Sequence, residues 1–184
     1  MTRTAIIITG LPASGKTTLA RALGRALGWP VLDKDDFLEA LFKRHTVTTS
    51  DQRQSLSRQA DTAFCEAAAK PDCVILVSHW RPRLGPTDTG TPTVWLETTF
   101  GRVIEVYCDC PPERAARRFL DRQRHPGHLD HLKDRAAICR QMEALNVGYP
   151  LDPGRVLSIS ADEVIAPADL ADLTTRIQRI LCAS

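Results

Sequence analysis

The stretch Gly10-Leu11-Pro12-Ala13-Ser14-Gly15-Lys16-Thr17 limits this chain more than any other feature of it. It fills every fixed position of the spacing G-x-x-x-x-G-K-T. It lies behind the β-branched run Thr4-Ala5-Ile6-Ile7-Ile8-Thr9, which reads as a buried strand. Ahead of it, Leu19, Ala20, Leu23, Ala26 and Leu27 keep helical spacing until Gly28 stops the helix. A loop joining strand to helix in this way can cradle phosphate. Gly10 and Gly15 let the backbone close around phosphate oxygens, and the loop N–H groups through Ala13 and Ser14 point inward. The helix beginning near Lys16 adds its positive dipole end. Lys16 places a charge on the β- and γ-phosphates, Thr17 reaches Mg²⁺, and Thr18 adds a hydroxyl for the α-phosphate. The expected ligands are ATP and Mg²⁺.

Strand and helix patterns alternate along the rest of the chain. Pro30-Val31-Leu32 reads as a second strand and Asp35 to Phe42 as a helix. Ser50 to Lys70 reads as a longer helix, with Ser50 or Asp51 as N-cap and Pro71 as stop. Cys73 to Ser78 is a third strand without alternation, hence buried on both faces. His79 to Pro92 is a loop, and Val103 to Cys108 a fourth strand. Pro111-Pro112 opens a helix running to about Arg124, which His125-Pro126-Gly127-His128 breaks. Lys133 to Leu145, Arg155 to Ile159 and Pro167 to Leu181 read as helix, strand and helix. The pattern predicts an α/β fold whose sheet is mostly parallel with helices on both faces. Nothing suggests a repeat or an internal linker, so residues 1–184 are expected to form one domain.

Two further clusters carry chemistry. Asp33-Lys34-Asp35-Asp36 follows the second strand, at the sheet edge where ligands bind in open parallel sheets. A carboxylate there can take a proton from an attacking hydroxyl. The assignment is Asp35 as base, Asp33 assisting Mg²⁺, and Asp36 capping the helix while lining the acceptor site. Capping alone explains three adjacent like charges poorly. The other cluster is basic. From Glu113 to Arg135 there are seven Arg/Lys and four acids, a local excess of +3, with His125, His128 and His131 among them. Arg114, Arg117, Arg118, Arg122 and Arg124 are placed on one helix. Arg118, Arg122 and Arg124 lead into the Pro-Gly break, so residues 122–131 are expected to form a lid that brings Arg122 and Arg124 to the transferring phosphate. The third strand ends Val77-Ser78-His79-Trp80-Arg81 with no acid. Ser78 is assigned to a metal-bound water, Asp33 or Asp35 to the missing charge, and His79, Trp80 and Arg81 to the acceptor site.

Composition narrows the setting. The longest apolar runs are far short of the roughly 20 residues of a membrane span, and no secretory signal precedes the first strand. A cytoplasmic protein without membrane contact is expected. The formal net charge of +2 gives no support to a nucleic-acid partner. The six cysteines contain no C-x-x-C pair, so zinc ribbons and thioredoxin chemistry find no footing.

With these residues in hand, the chain resembles the small P-loop kinases of the gluconate kinase, shikimate kinase and chloramphenicol phosphotransferase type, and AAA-type ATP-binding proteins. Gly-Leu-Pro-Ala-Ser-Gly-Lys-Thr-Thr at 10–18 is similar to their phosphate loop. Asp33-Lys34-Asp35-Asp36-Phe37 looks like the acidic motif of polynucleotide 5′-hydroxyl kinases and the antibiotic phosphotransferase, in which the Asp matching Asp35 is the base. Arg118-Phe119-Leu120-Asp121-Arg122, then Gly127-His128, is similar to the lid of gluconate kinases. The resemblance implies a three-layer sandwich around a five-stranded sheet in the order 2-3-1-4-5. It also implies an adenine pocket between the lid helix and Ser160-Ala161-Asp162-Glu163, with Arg118 against the adenine. The motifs that fix shikimate are missing. The expected activity is transfer of the γ-phosphoryl of ATP to a hydroxyl of a small molecule such as a sugar acid or antibiotic, by a monomer or homodimer. A nucleoside, nucleotide or polynucleotide 5′-hydroxyl kinase is the second expectation, and an ATP-binding regulatory switch the third.

Overall fold

The structure, a computed structural model, describes residues 2–82, 90–132, 134–151 and 156–183. Five strands form one parallel sheet in the order β2-β3-β1-β4-β5: β1 Thr4–Thr9, β2 Val31–Asp33, β3 Cys73–Val77, β4 Arg102–Asp109 and β5 Val156–Ser160. The predicted strand order is therefore present. Among the described residues, seven α-helices cover both faces: α1 Lys16–Leu27, α2 Lys34–Phe42, α3 Ser50–Ala68, α4 Val94–Thr99, α5 Pro112–Asp121, α6 Arg135–Asn146 and α7 Pro167–Cys182. β1 is buried along its whole length at the centre of the sheet, which explains its unbroken apolar run. Gly28 ends α1 in the left-handed conformation, with φ 68°, as the stop signal requires.

Several boundaries differ from the sequence reading. The N-cap of α3 is Thr49, because Gln52 three positions on closes a capping box with it; Ser50 and Asp51 are already helical. Helix α4 is unforeseen. Its Val-Trp-Leu-Glu-Thr-Thr sequence has modest helix propensity and forms around buried Leu96, with Trp95 Nε1 donating to the Pro92 carbonyl at 2.9 Å. Helix α5 ends at Asp121, so Arg122 and Arg124 do not share it with Arg114, Arg117 and Arg118. Arg122 has extended backbone, and its guanidinium folds back to 4.3 Å from the Phe119 ring centroid. Two short 3-10 turns, Pro126–His128 and Asp130–Leu132, follow. Part of the loop expected over His79 to Pro92, and Lys133 and Arg155 at the expected starts of a helix and a strand, lie outside the described residues, as does the His131 side chain.

Among the described residues, no helix is long and apolar enough to cross a membrane. The six cysteines are free, with Cys108 and Cys110 buried at the end of β4.

Candidate active site

The C-terminal ends of β1, β2 and β3 open on a cleft of about 800 Å³ floored by the glycine loop and walled by α2, α3 and the segment after α5. Gly10, Ala13 and Gly15 have φ of 124°, 63° and 100°, the left-handed turns that wrap a backbone around an anion. A Cβ on Gly10 would stand 2.5 Å from the Cys108 carbonyl oxygen, so only glycine fits against β4 there. No side chain caps α1 at Gly15, which leaves its first-turn N–H groups for an anion. Lys16 is buried, and its Nζ donates to the carbonyls of Gly10 at 2.9 Å and Leu11 at 2.6 Å. Burial pulls its pKa to about 8, against the opposing pull of Cys108, Asp35 and Asp33. An ammonium held by its own loop in this way is ready to exchange two carbonyls for phosphate oxygens. Ala13, Thr17 and Thr18 line the same cleft, and buried Ser14 donates its backbone N–H to the Leu11 carbonyl at 3.1 Å.

The acidic cluster divides by geometry. Asp33 is buried beside Val77 of β3 in the sheet register, next to the strand end that lacks an acid of its own. Its Oδ2 accepts from Thr17 Oγ1 at 2.6 Å, and its Oδ1 accepts the Asp35 N–H at 3.0 Å. Burial pushes its pKa up while the Thr17 bond opposes the rise. Asp33 is thus the N-cap of α2 as well as the partner of Thr17. The cap expected of Asp36 is a correction: Asp36 is exposed on the first turn, accepts no capping N–H and does not line the cleft. Asp35 does line it, with a half-exposed carboxylate ion-paired to Arg124. Burial raises its pKa, but Arg124, His128 and Arg122 outweigh that and hold the carboxyl below its usual value.

The end of β3 brings a second correction. Trp80 is not at the cleft but fully buried in the core, where Nε1 donates to the Ile8 carbonyl at 2.9 Å and the ring packs near Phe64. Its neighbours point the other way: His79 and Arg81 both line the cleft. Burial, with Lys16 and Lys34 adding to it, lowers the His79 pKa to about 3, so the imidazole is neutral. Ser78 Oγ lies 2.5 Å from Thr91 Oγ1, which donates to Asp61 Oδ1 at 2.7 Å. Lys34 closes this chain by donating to Asp61 Oδ1 at 2.8 Å and Ser57 Oγ at 2.9 Å. The Ser78 hydroxyl assigned to a metal-bound water is therefore already tied to protein. Sequence reasoning passed over Arg53, Ser57 and Asp61 of α3, which line the cleft at i, i+4, i+8 and resemble an ordinary solvated face.

The arginines stand at the other wall. Arg118 donates to the carbonyls of Ala161 at 2.6 Å and Asp162 at 2.8 Å, joining α5 to the loop after β5. Arg122 lines the cleft with burial drawing its pKa to about 10. Arg124 pairs with Asp35 and, at 3.3 Å, with Asp130. His128 Nε2 sits 3.0 Å from Glu39 Oε1, and the Phe42 ring covers Gly127, so residues 122–128 are fastened onto α2.

This cleft and sheet define the P-loop kinase fold. The sequence profile of the AAA domain family matches residues 6–146, and the chain belongs to that family. In solved structures the chain is similar to a candidate kinase from Chloroflexus aurantiacus, with TM-score 0.76 and 24% identity over 97% of this chain and 98% of that one. A shikimate kinase from Bacteroides thetaiotaomicron gives TM-score 0.61 and 21% identity, covering 97% and 98%. A gluconokinase from Sinorhizobium meliloti gives 0.56 and 18%, covering 96% and 97%. These likenesses are of fold. No curated protein matches the chain in sequence.

Proposed function

We propose that the chain is an ATP-dependent kinase that moves the γ-phosphoryl group to a hydroxyl of a small molecule, a sugar acid, an antibiotic or a similar metabolite. One observation carries this reading: the Asp35 carboxylate opens on the same cleft as Lys16 and the Thr17–Asp33 pair. A nucleotide switch needs no carboxylate aimed at an acceptor. The names borne by the fold's neighbours support the reading without identifying the acceptor.

In this mechanism Lys16 and the loop N–H groups hold the β- and γ-phosphates, and Thr17 with Asp33 holds Mg²⁺. The ion, when bound, neutralises charge on the phosphate oxygens. Arg118, fixed to the loop after β5, borders the adenine. Asp35 takes the proton of the acceptor hydroxyl as its oxygen bonds to the γ-phosphorus. The bond from that phosphorus to the β–γ bridging oxygen breaks, and ADP leaves with the electron pair. Arg122 and Arg124 spread the developing charge. His79 and Arg81 border the acceptor. Six free cysteines suit the reducing cytoplasm. The test is ATP consumption across sugars, sugar acids, antibiotics, nucleosides and 5′-hydroxyl oligonucleotides. Acceptor-dependent ADP release is expected; hydrolysis indifferent to every acceptor would favour a switch.

A further inference from the structure

We propose that Thr91, anchored by Asp61, is a positioning residue of the proposed reaction: it holds the main chain on both sides of Trp80 and so turns His79 and Arg81 into the acceptor end of the cleft. This rests on the kinase reading and adds to it the group that shapes the acceptor's wall.

The clasp begins in the backbone. The Thr91 N–H donates to the His79 carbonyl at 2.8 Å, and the Thr91 carbonyl accepts the Arg81 N–H at 2.9 Å. The two bonds form a parallel bridge across Trp80. Trp80 is pinned as well, because its carbonyl accepts from Tyr149 Oη at 2.9 Å while its indole donates to Ile8. Gly90 lets Thr91 come this close. Its φ is 97°, and a Cβ there would stand 2.8 Å from the Arg81 nitrogen. His79 Nδ1 and Arg81 Nε are buried without a hydrogen-bond partner among the described residues, and Arg81 Nη2 makes a 3.5 Å contact with the Gly90 carbonyl. These side chains take their direction from the main chain that carries them.

The Thr91 side chain fixes where the clasp sits. It is fully buried, and its one proton goes to Asp61 Oδ1 at 2.7 Å. In the 2.5 Å contact with Ser78, therefore, Ser78 donates and Thr91 accepts. Asp61 is held in turn by Lys34 at 2.8 Å, and Lys34 also donates to Ser57. Lys34 is the residue between Asp33 and Asp35. One run of hydrogen bonds thus joins the end of β3, the clasp, α3 and the acidic turn that carries Asp35. Lys16, Thr17 and Arg118 take their partners elsewhere, at the nucleotide end. Loss of the Thr91 hydroxyl should therefore fall on the acceptor and spare the nucleotide.

The test uses the full chain with Thr91→Val, which removes the hydroxyl from a β-branched side chain of the same shape, and Thr91→Ser, which keeps it. One arm needs no ligand. Burial holds the His79 pKa at about 3, with Lys16, Lys34 and Arg53 opposing protonation and Asp35 favouring it. The imidazole ring signals are followed by NMR and assigned against His79→Gln. In wild type and Thr91→Ser the His79 signal should stay still between about pH 5 and 8. In Thr91→Val it should titrate within that range, toward the usual value near 6.5. The other arm is kinetic, with gluconate, glucose, glycerol and adenosine as acceptor probes. Thr91→Val should raise the acceptor KM roughly tenfold and leave Mg·ATP affinity within about twofold of wild type, while Thr91→Ser stays close to wild type. Should Thr91→Val fold poorly, Asp61→Ala cuts the same anchor from α3 and should bring both changes. An unmoved His79 signal in a folded variant, equal losses of acceptor and Mg·ATP binding, or failure of Thr91→Ser to match wild type overturns the inference. Failure of the wild type to consume ATP with any acceptor would instead overturn the kinase reading beneath it, and the imidazole titration would still decide the clasp.

Discussion

The Asp35 carboxylate is clasped by the guanidinium of Arg124, 89 positions further along the chain. One residue stands on the first turn of α2 and the other in the segment after α5. The group assigned to accept a proton is therefore paired, while still half-exposed, with the segment expected to close over nucleotide. In the proposed mechanism Arg124 turns from Asp35 to phosphate as an acceptor hydroxyl takes its place at the carboxylate.

That pairing sets a titration. Burial alone would raise the Asp35 pKa, and Arg124 is the largest of the influences that lower it. Arg124→Gln should move the Asp35 midpoint upward in a carboxyl-detected NMR titration. A folded-state pKa below the unfolded value stabilises the fold above the unfolded pKa and loses that contribution as pH falls through the folded one. Wild type should thus keep its stability down to about pH 4 and shed the Asp35 share below it, while Arg124→Gln lacks that share. An unmoved midpoint would mean the pair is absent in solution.

The segment expected to act as a lid rests on a close contact with α2. A Cβ at Gly127 would stand 2.7 Å from Cγ of the Phe42 ring. Gly127→Ala should pry residues 122–131 from α2 and speed their amide exchange without nucleotide. Wild type should gain protection there when an ATP analogue binds. Equal exchange with and without the analogue would count against a lid.

Lys16 gives a proton-linked signature. Its pKa near 8 in the free protein should rise when phosphates replace the Gly10 and Leu11 carbonyls. At about pH 9, binding of Mg·ATP should therefore take up a proton, and affinity should fall as pH climbs past 8. Calorimetry in buffers of different ionisation enthalpy reads this directly; identical heats would contradict it. Lys16→Ala should lose on the order of 10² to 10⁴ in transfer rate.

Asp33 separates metal from cap. Asn caps a helix about as well as Asp. Asp33→Asn should keep α2 but lose the charge beside Thr17, weakening Mg²⁺-dependent nucleotide binding by roughly tenfold or more. Affinity measured across Mg²⁺ concentrations checks it. An unaltered Mg²⁺ dependence would remove Asp33 from the metal site.

The alternating strands and helices and the phosphate loop were legible because their signals are local: a spacing, a β-branched run, a glycine stop; the sheet order came only through the family resemblance those motifs carry. What escaped depends on direction. Nothing in Ser78-His79-Trp80-Arg81 tells that Trp80 turns under β1 while its neighbours face the cleft. Arg53, Ser57 and Asp61 look like a solvated stripe until α3 is seen to lie across the site. At the end of α5 Arg122 takes extended backbone and its guanidinium folds back on Phe119, an arrangement that helical spacing of arginines does not announce. Asp36 and Asp33 exchanged the capping role because the cap is set by where β2 ends, and β2 runs one residue further than its apolar pattern.

The proposed mechanism turns on Asp35 as the base. The direct measurement is Asp35→Asn assayed for both nucleotide affinity and turnover with a responsive acceptor. Asp35→Asn should keep Mg·ATP affinity close to wild type and lower kcat by roughly 10² to 10⁴. A parallel fall in Mg·ATP affinity would make Asp35 a metal group instead. Full turnover in the folded variant would contradict the claim outright.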